Sequence, residues 1–161
     1  MTTREYNNCV DQHADGLYRF ILKNLRDEHS SHDVVQDSFE KLWVNHNKLD
    51  GDKAKAYLFT TAYHTMIDYI RKQKHTEAMD GIPEKYEGDH TTYSDLAEIL
   101  NEALEKLNEV QRSVILLRDY EGYSYREIGE ITGLNESQVK VYIYRARVFL
   151  KNYIVSPEYV I

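Results

Sequence analysis

Cysteine is almost absent from this 161-residue sequence. Cys9 stands alone, so no internal disulfide framework is available and a reducing, cytoplasmic setting is expected. Proline occurs twice and glycine seven times, too few for a loop-rich chain, which favours long uninterrupted helices. No apolar run approaches the ~18 residues that a membrane span requires. The opening MTTREYNNCVDQH has no apolar stretch after Arg4, so neither a signal peptide nor insertion into a membrane is expected. An excess of positive charge is missing too: 27 acidic residues face 20 lysines and arginines, for a formal charge of −7. Such a chain gains little attraction for nucleic acid from net charge alone. A phosphate-binding loop, a nucleophile elbow and a paired Cys/His framework are also lacking, so no enzyme, no metal and no cofactor are expected. His29 and His32 lie in a Ser-rich stretch that reads as a turn.

What is present is helical periodicity. Leu17, Phe20, Ile21 and Leu25 recur at helical spacing, as do Val35, Phe39, Leu42 and Trp43. A third stripe holds Leu58, Ala62, Met66 and Tyr69/Ile70, preceded by the polar loop Asn45 to Lys53. The acidity is local. Residues 1–75 balance 11 acids against 11 bases, whereas residues 76–95 set six acids against Lys85 alone. That acidic stretch also holds Gly81, Pro83 and Gly88 and lacks periodicity, so it reads as a flexible linker. The expected fold is all-α: a helical bundle over 1–75, a linker over 76–94, and a second helical body over 95–161.

The second body is punctuated by caps. Asp95 with Glu98, Asn108 with Gln111, Ser124 with Glu127 and Asn135 with Gln138 each suit a capping box. Tyr120 is expected to face inward ahead of a stop at Gly122, and Tyr123 to staple onto Ile128. Gly129 marks a close approach, and Gly133 suits the left-handed residue that ends a helix. Two helices joined by such a turn make a helix-turn-helix, whose second helix enters the major groove. In that second helix Val139, Ile143, Ala146 and Leu150 face inward. Ser137, Gln138, Lys140, Val141, Tyr144 and Arg145 form or flank the opposite, DNA-reading face.

HDVVQDSFEKLW, from His32 to Trp43, and KAYLFTTAYHTMIDYIRKQK, from Lys55 to Lys74, resemble the core of bacterial sigma factors. The similarity is to the small two-domain extracytoplasmic function (ECF) kind, and LEKLNEVQRSVILLRDYEGYSYREIGEITGLNESQVKVYIYRAR is similar to their fourth conserved region. The resemblance implies that Asp33, Gln36, Asp37 and Glu40 dock on the clamp helices of the largest subunit of core RNA polymerase. It implies that Tyr63, His64, Arg71 and Lys72 hold the melted promoter −10 element, a role that suits their mixture of rings and cations. The −35 element would fall to Ser137, Gln138, Lys140, Val141, Tyr144 and Arg145. An anti-sigma protein, often membrane-anchored in the family, would grip both domains, and the acidic linker would thread the polymerase's RNA-exit path. Four positions depart from the family's habit: His64 for Asn, Val141 and Tyr142 for Ser-Arg, and Asn108 for Pro. The second reading is a stand-alone helix-turn-helix regulator or recombinase-like module, which predicts tight promoter binding without polymerase.

Overall fold

A computed structural model describes residues 1–80 and 95–155. Among these the chain is helical with no strand, in the order α1 (Thr3–Leu25), α2 (Glu28–Val44), α3 (Ala54–Asp80), α4 (Asp95–Lys106), α5 (Glu109–Ile115), α6 (Tyr125–Thr132) and α7 (Glu136–Ile154). No helix among them is long and apolar enough to cross a membrane.

Thr2 caps α1, accepting a bond from the Glu5 N–H at 3.1 Å while the Glu5 carboxylate accepts from the Thr2 N–H at 3.1 Å. Arg26, with φ 56°, ends α1 in the left-handed region, and the Asp27 carboxylate at once caps α2 through the Ser30 N–H at 3.1 Å. This two-residue corner sets α1 and α2 side by side, and α3 closes a three-helix bundle. Leu17, Phe20, Ile21, Leu42, Leu58, Phe59, Ala62 and Met66 have no solvent exposure. Full burial of a residue as large as Phe20 or Phe59 contributes about 1.5–3 kcal/mol.

Two expectations fail in α2. The His29–His32 stretch is not a turn but the first turns of the helix, with Ser30 and Ser31 buried. The Ser31 hydroxyl bonds back to the Asp27 carbonyl at 2.6 Å, which satisfies it in its buried position. His32 stacks on Tyr18 at 4.5 Å and His29 Nε2 lies 3.6 Å from Asp33. Trp43, expected on the apolar stripe, is 43% exposed and lies flat on His46 at 4.2 Å, edged by Tyr6 at 4.9 Å. The Asn45–Lys53 loop contains two short 3₁₀ turns, His46–Lys48 and Gly51–Lys53. Residues 76–80 continue α3 instead of beginning a linker, and the remainder of the expected linker, 81–94, lies outside the described residues.

In the C-terminal body Asp95 is the first helical residue of α4 rather than its cap, and the preceding residue lies outside those described. Asn108 caps α5, accepting from the Gln111 N–H at 2.8 Å. The helix widens into a π turn, Leu116–Tyr120, in which the Glu121 N–H reaches the Leu116 carbonyl at 3.1 Å. The extra residue rotates the chain, so Tyr120 is 40% exposed instead of inward-facing.

The two bodies touch. α1 and α3 pack against α5 and α6, and buried side chains from both bodies form one continuous core. At its centre Asn24 of α1 accepts from Arg112 Nε at 2.9 Å and from the Ser113 hydroxyl at 3.4 Å, all three residues being buried. Asn24 in turn donates to the Phe20 carbonyl at 3.0 Å. Phe59 meets Tyr123 edge-on at 5.2 Å across the same contact.

Candidate nucleic-acid and partner interfaces

The α6–turn–α7 unit is built by its caps. Ser124 and Glu127 form a reciprocal capping box with both bonds at 3.1 Å, and Asn135 and Gln138 form another at 2.8 and 3.1 Å. Between them Gly133 holds φ 79°, the left-handed conformation foreseen for it. Gly129 faces the carbonyl oxygen of Leu134 so closely that a Cβ there would lie 2.8 Å from it. The close approach is therefore to the turn itself rather than to a facing helix. α7 buries Val139, Ile143, Ala146 and Leu150 against α4, α5 and α6.

The outer face of α7 is as expected: Ser137, Gln138, Lys140, Val141, Tyr144 and Arg145 are all exposed. Tyr144 is 69% and Val141 44% exposed, so neither apolar surface serves the core. The cations differ in their freedom. Arg147 is held in a fork by Asp119 at 2.6 and 3.0 Å, and Lys140 lies 3.8 Å from Glu136. Arg145 has no side-chain bond among the described residues. Gln138 commits its carbonyl oxygen to the cap of Asn135 and keeps its amide N–H donors.

In the N-terminal body a groove of about 600 Å³ runs between α2 and α3. Asp33, Gln36, Asp37 and Glu40 form one wall, so the four residues expected to dock on polymerase lie together. Lys41 crosses the rim, 3.1 Å from Asp37 and 3.4 Å from the Thr65 hydroxyl. The facing wall holds Thr65, Asp68, Tyr69 and Lys72, which the sequence reading did not link to docking. Positions 65, 68, 69 and 72 have helical three-and-four spacing, a signal that was available. Tyr69 anchors that wall, its hydroxyl 2.6 Å from Ser30 and 3.0 Å from Gln73.

The four residues expected to meet the −10 element do not share one surface. His64 and Arg71, seven apart, lie on one exposed face, while Lys72 turns toward the groove. Tyr63 is only 5% exposed, and burial raises its phenol above the ordinary range. Across the contact between the bodies, burial pushes the Tyr123 phenol up to about 12, and the hydrogen bond from Lys55 holds the Glu127 carboxyl low.

Comparison with known proteins agrees in both halves. The family model for Sigma-70 region 2 matches residues 9–76, and that for Sigma-70, region 4 matches residues 97–150. The RNA polymerase sigma factor SigV of Bacillus subtilis (strain 168) is 30% identical over 141 residues, which cover 86% of this chain and 84% of SigV. The ECF RNA polymerase sigma factor SigM of the same organism is 27% identical over 150 residues, covering 90% of this chain and 92% of SigM. Among solved structures, the sigma factor RpoE in complex with the anti-sigma factor NepR from Bartonella quintana has a TM-score of 0.79 at 22% identity, covering 96% of this chain and 99% of RpoE. CnrH, in complex with the cytosolic domain of CnrY, has a TM-score of 0.72 at 26% identity, covering 97% of this chain and 91% of CnrH.

Proposed function

Because the chain belongs to the ECF sigma factors of the sigma-70 family, we propose that α7 reads the promoter −35 element, α3 holds the melted −10 element, and the α2–α3 groove docks on core RNA polymerase. The observation that carries this reading is the exposed face of α7. A cation without an internal partner, a valine and a tyrosine stand in water with no role in the core. Arg145 and Lys140 suit phosphates, which position a protein without conveying sequence. Val141 suits a thymine methyl, and the Gln138 amide suits a base edge. In α3, His64 and Arg71 combine a ring for an unstacked base with a cation for its phosphate.

The acidic wall of Asp33, Asp37 and Glu40 calls for a basic partner, and the clamp helices of the polymerase's largest subunit supply that chemistry in this reading. Sigma factors are initiation factors, and promoter opening in this account needs only binding energy toward flipped bases. The net charge of −7 then has an explanation. Affinity for duplex DNA rises with the number of phosphates neutralised, and the polymerase provides most of those contacts. An anti-sigma protein, the kind of partner that RpoE is solved with, is the expected inhibitor.

A mobility-shift experiment tests the reading. At physiological salt the free protein should leave a promoter duplex unshifted at nanomolar concentration, and its complex with core polymerase should shift it. Tight, sequence-specific binding by the free protein would overturn the proposal.

A further inference from the structure

The loop between α2 and α3 lies at one end of the face that carries His64 and Arg71. Tyr57, His64 and Arg71 follow one another at seven-residue intervals, so they form one line along α3. From first to last that line is about 21 Å long, at about 1.5 Å per residue. At its near end the Tyr57 hydroxyl accepts a 2.8 Å bond from the Asn45 side-chain amide, which also donates to the Lys41 carbonyl at 2.9 Å. A strand held by Arg71 and His64, followed along this line, reaches Asn45 and the two 3₁₀ turns after it. Asn47 and Lys48 are exposed in the first of those turns and offer an amide for a base edge and a cation for a phosphate.

The first turn of α1 braces this loop at both of its 3₁₀ turns. The Tyr6 hydroxyl donates to the Phe39 carbonyl of α2 at 3.2 Å, which fixes the ring that meets Trp43 edge-on at 4.9 Å. Trp43 lies flat on His46 at 4.2 Å, and His46 Nδ1 stands 2.5 Å from the Trp43 carbonyl oxygen. At the second turn the Glu5 carboxylate occupies the space that a Cβ on Gly51 would fill, and the capping box with Thr2 holds Glu5 there. Trp43 is 43% exposed, so the core does not account for its place. Its two ring contacts do, because aromatic pairs have preferred geometries and so fix the orientation of what carries them.

We propose that Tyr6, Trp43 and His46 are positioning residues for reading the −10 element, a ring chain that sets the loop Asn45–Lys53 beside the strand on α3. This rests on the reading of α3 as the strand-binding helix. The three rings act through the loop and not on the bases. A polar group discriminates between bases only when its own position is fixed, and these contacts fix it. With the ring chain broken, the loop yields to wrong bases, while the −35 contacts of α7 stay as they were.

Transcription by the reconstituted holoenzyme from two promoter libraries, one varied in the −10 element and one in the −35 element, is the test. Trp43→Ala and His46→Ala should each lower discrimination between the best −10 sequence and its single-base variants by about fivefold or more. Discrimination at −35 and retention of core polymerase should not change. Trp43→Phe keeps a ring in place and should recover most of the loss. His46 lies in the loop and outside the core, so His46→Ala decides the matter should Trp43→Ala prove too unstable to assay. An equal loss on every −10 variant, the mark of a purely structural role, would overturn the proposal, and so would unchanged discrimination. His64→Ala with Arg71→Ala, run on the same libraries, separates the proposal from its premise. If that variant weakens transcription and the ring variants change nothing, the ring chain has no positioning role and α3 still holds the strand. If it changes nothing, α3 is not the strand-binding helix and the proposal falls with it.

Discussion

A methyl group at position 129 probes the helix-turn-helix where it is tightest. In Gly129→Ala the new Cβ would stand 2.8 Å from the Leu134 carbonyl oxygen and 3.9 Å from a methyl of Val139. The near atom is backbone in the turn between α6 and α7, so relief requires the turn to move. Overpacking costs about 1–3 kcal/mol, and against a backbone atom that cannot rotate aside the upper part of that range, about 2–3 kcal/mol, applies. Alanine's better helix propensity offsets about 0.8–1 kcal/mol of that. The net loss is about 1–2 kcal/mol, and at about 2–4 °C per kcal/mol for a chain of this size Tm should fall by about 2–8 °C. Gly133→Ala provides a contrast, because nothing lies within 4 Å of its added Cβ and the cost comes from φ 79° alone. That cost is about 1–2 kcal/mol, and Gly133→Asn should recover part of it, since Asn tolerates the left-handed region. Differential scanning calorimetry on the three variants is the assay. A Gly129→Ala protein as stable as wild type, or more so, would refute the close approach at the turn.

Further outcomes follow from the same geometry. Gln36→Arg with Asp37→Arg should abolish pull-down of core polymerase while leaving Tm nearly unchanged, because both side chains line the groove rather than the core; retained binding would place docking elsewhere. Val141→Ser should alter which −35 sequences are transcribed, by about 1 kcal/mol at one base position. Arg145→Ala should instead weaken all −35 variants alike and flatten the salt dependence. Transcription from a −35 library separates the two, and a uniform loss for Val141→Ser would count against its base contact. Burial, with Lys55 nearby, lowers the His13 pKa, so the folded state favours the neutral ring. The stability linked to this group is then fully present above the unfolded value of about 6.5 and is lost as pH falls toward the lower folded value. His13→Leu should show a smaller fall in Tm than wild type between about pH 7.5 and 5.5, and an identical fall would dismiss His13 as the titrating group.

Local rules were legible in the sequence, and long-range ones were not. The boxes at Ser124 and Asn135, the stop at Gly133 and the buried stripe of α7 depend on residues within a few positions of each other, and they stand where the spacing places them. The same holds for the exposure of the outer face of α7 and for the acidic wall of α2. The contact between the bodies joins residues 35 to 102 positions apart, such as Lys74 with Glu109 and Arg19 with Glu121, and no local pattern marks it. That contact also goes with the burial of Tyr63, which by type alone reads as a ring for stacking bases. The Ser-rich start of α2 misled because Asp27 caps it and its two serines are buried with their hydroxyls satisfied, Ser30 by Tyr69 of α3 and Ser31 by the Asp27 carbonyl. Tyr120 misled because a π turn inserts a residue that periodicity does not anticipate.

Run-off transcription reconstituted with core RNA polymerase tests the central claim most directly. Core polymerase with this protein should yield a discrete transcript from a promoter template, and neither component should do so alone. Addition of the Gln36→Arg, Asp37→Arg protein should give none. Absence of a discrete transcript across a library of promoter sequences, with the protein shown to be folded, would contradict the account.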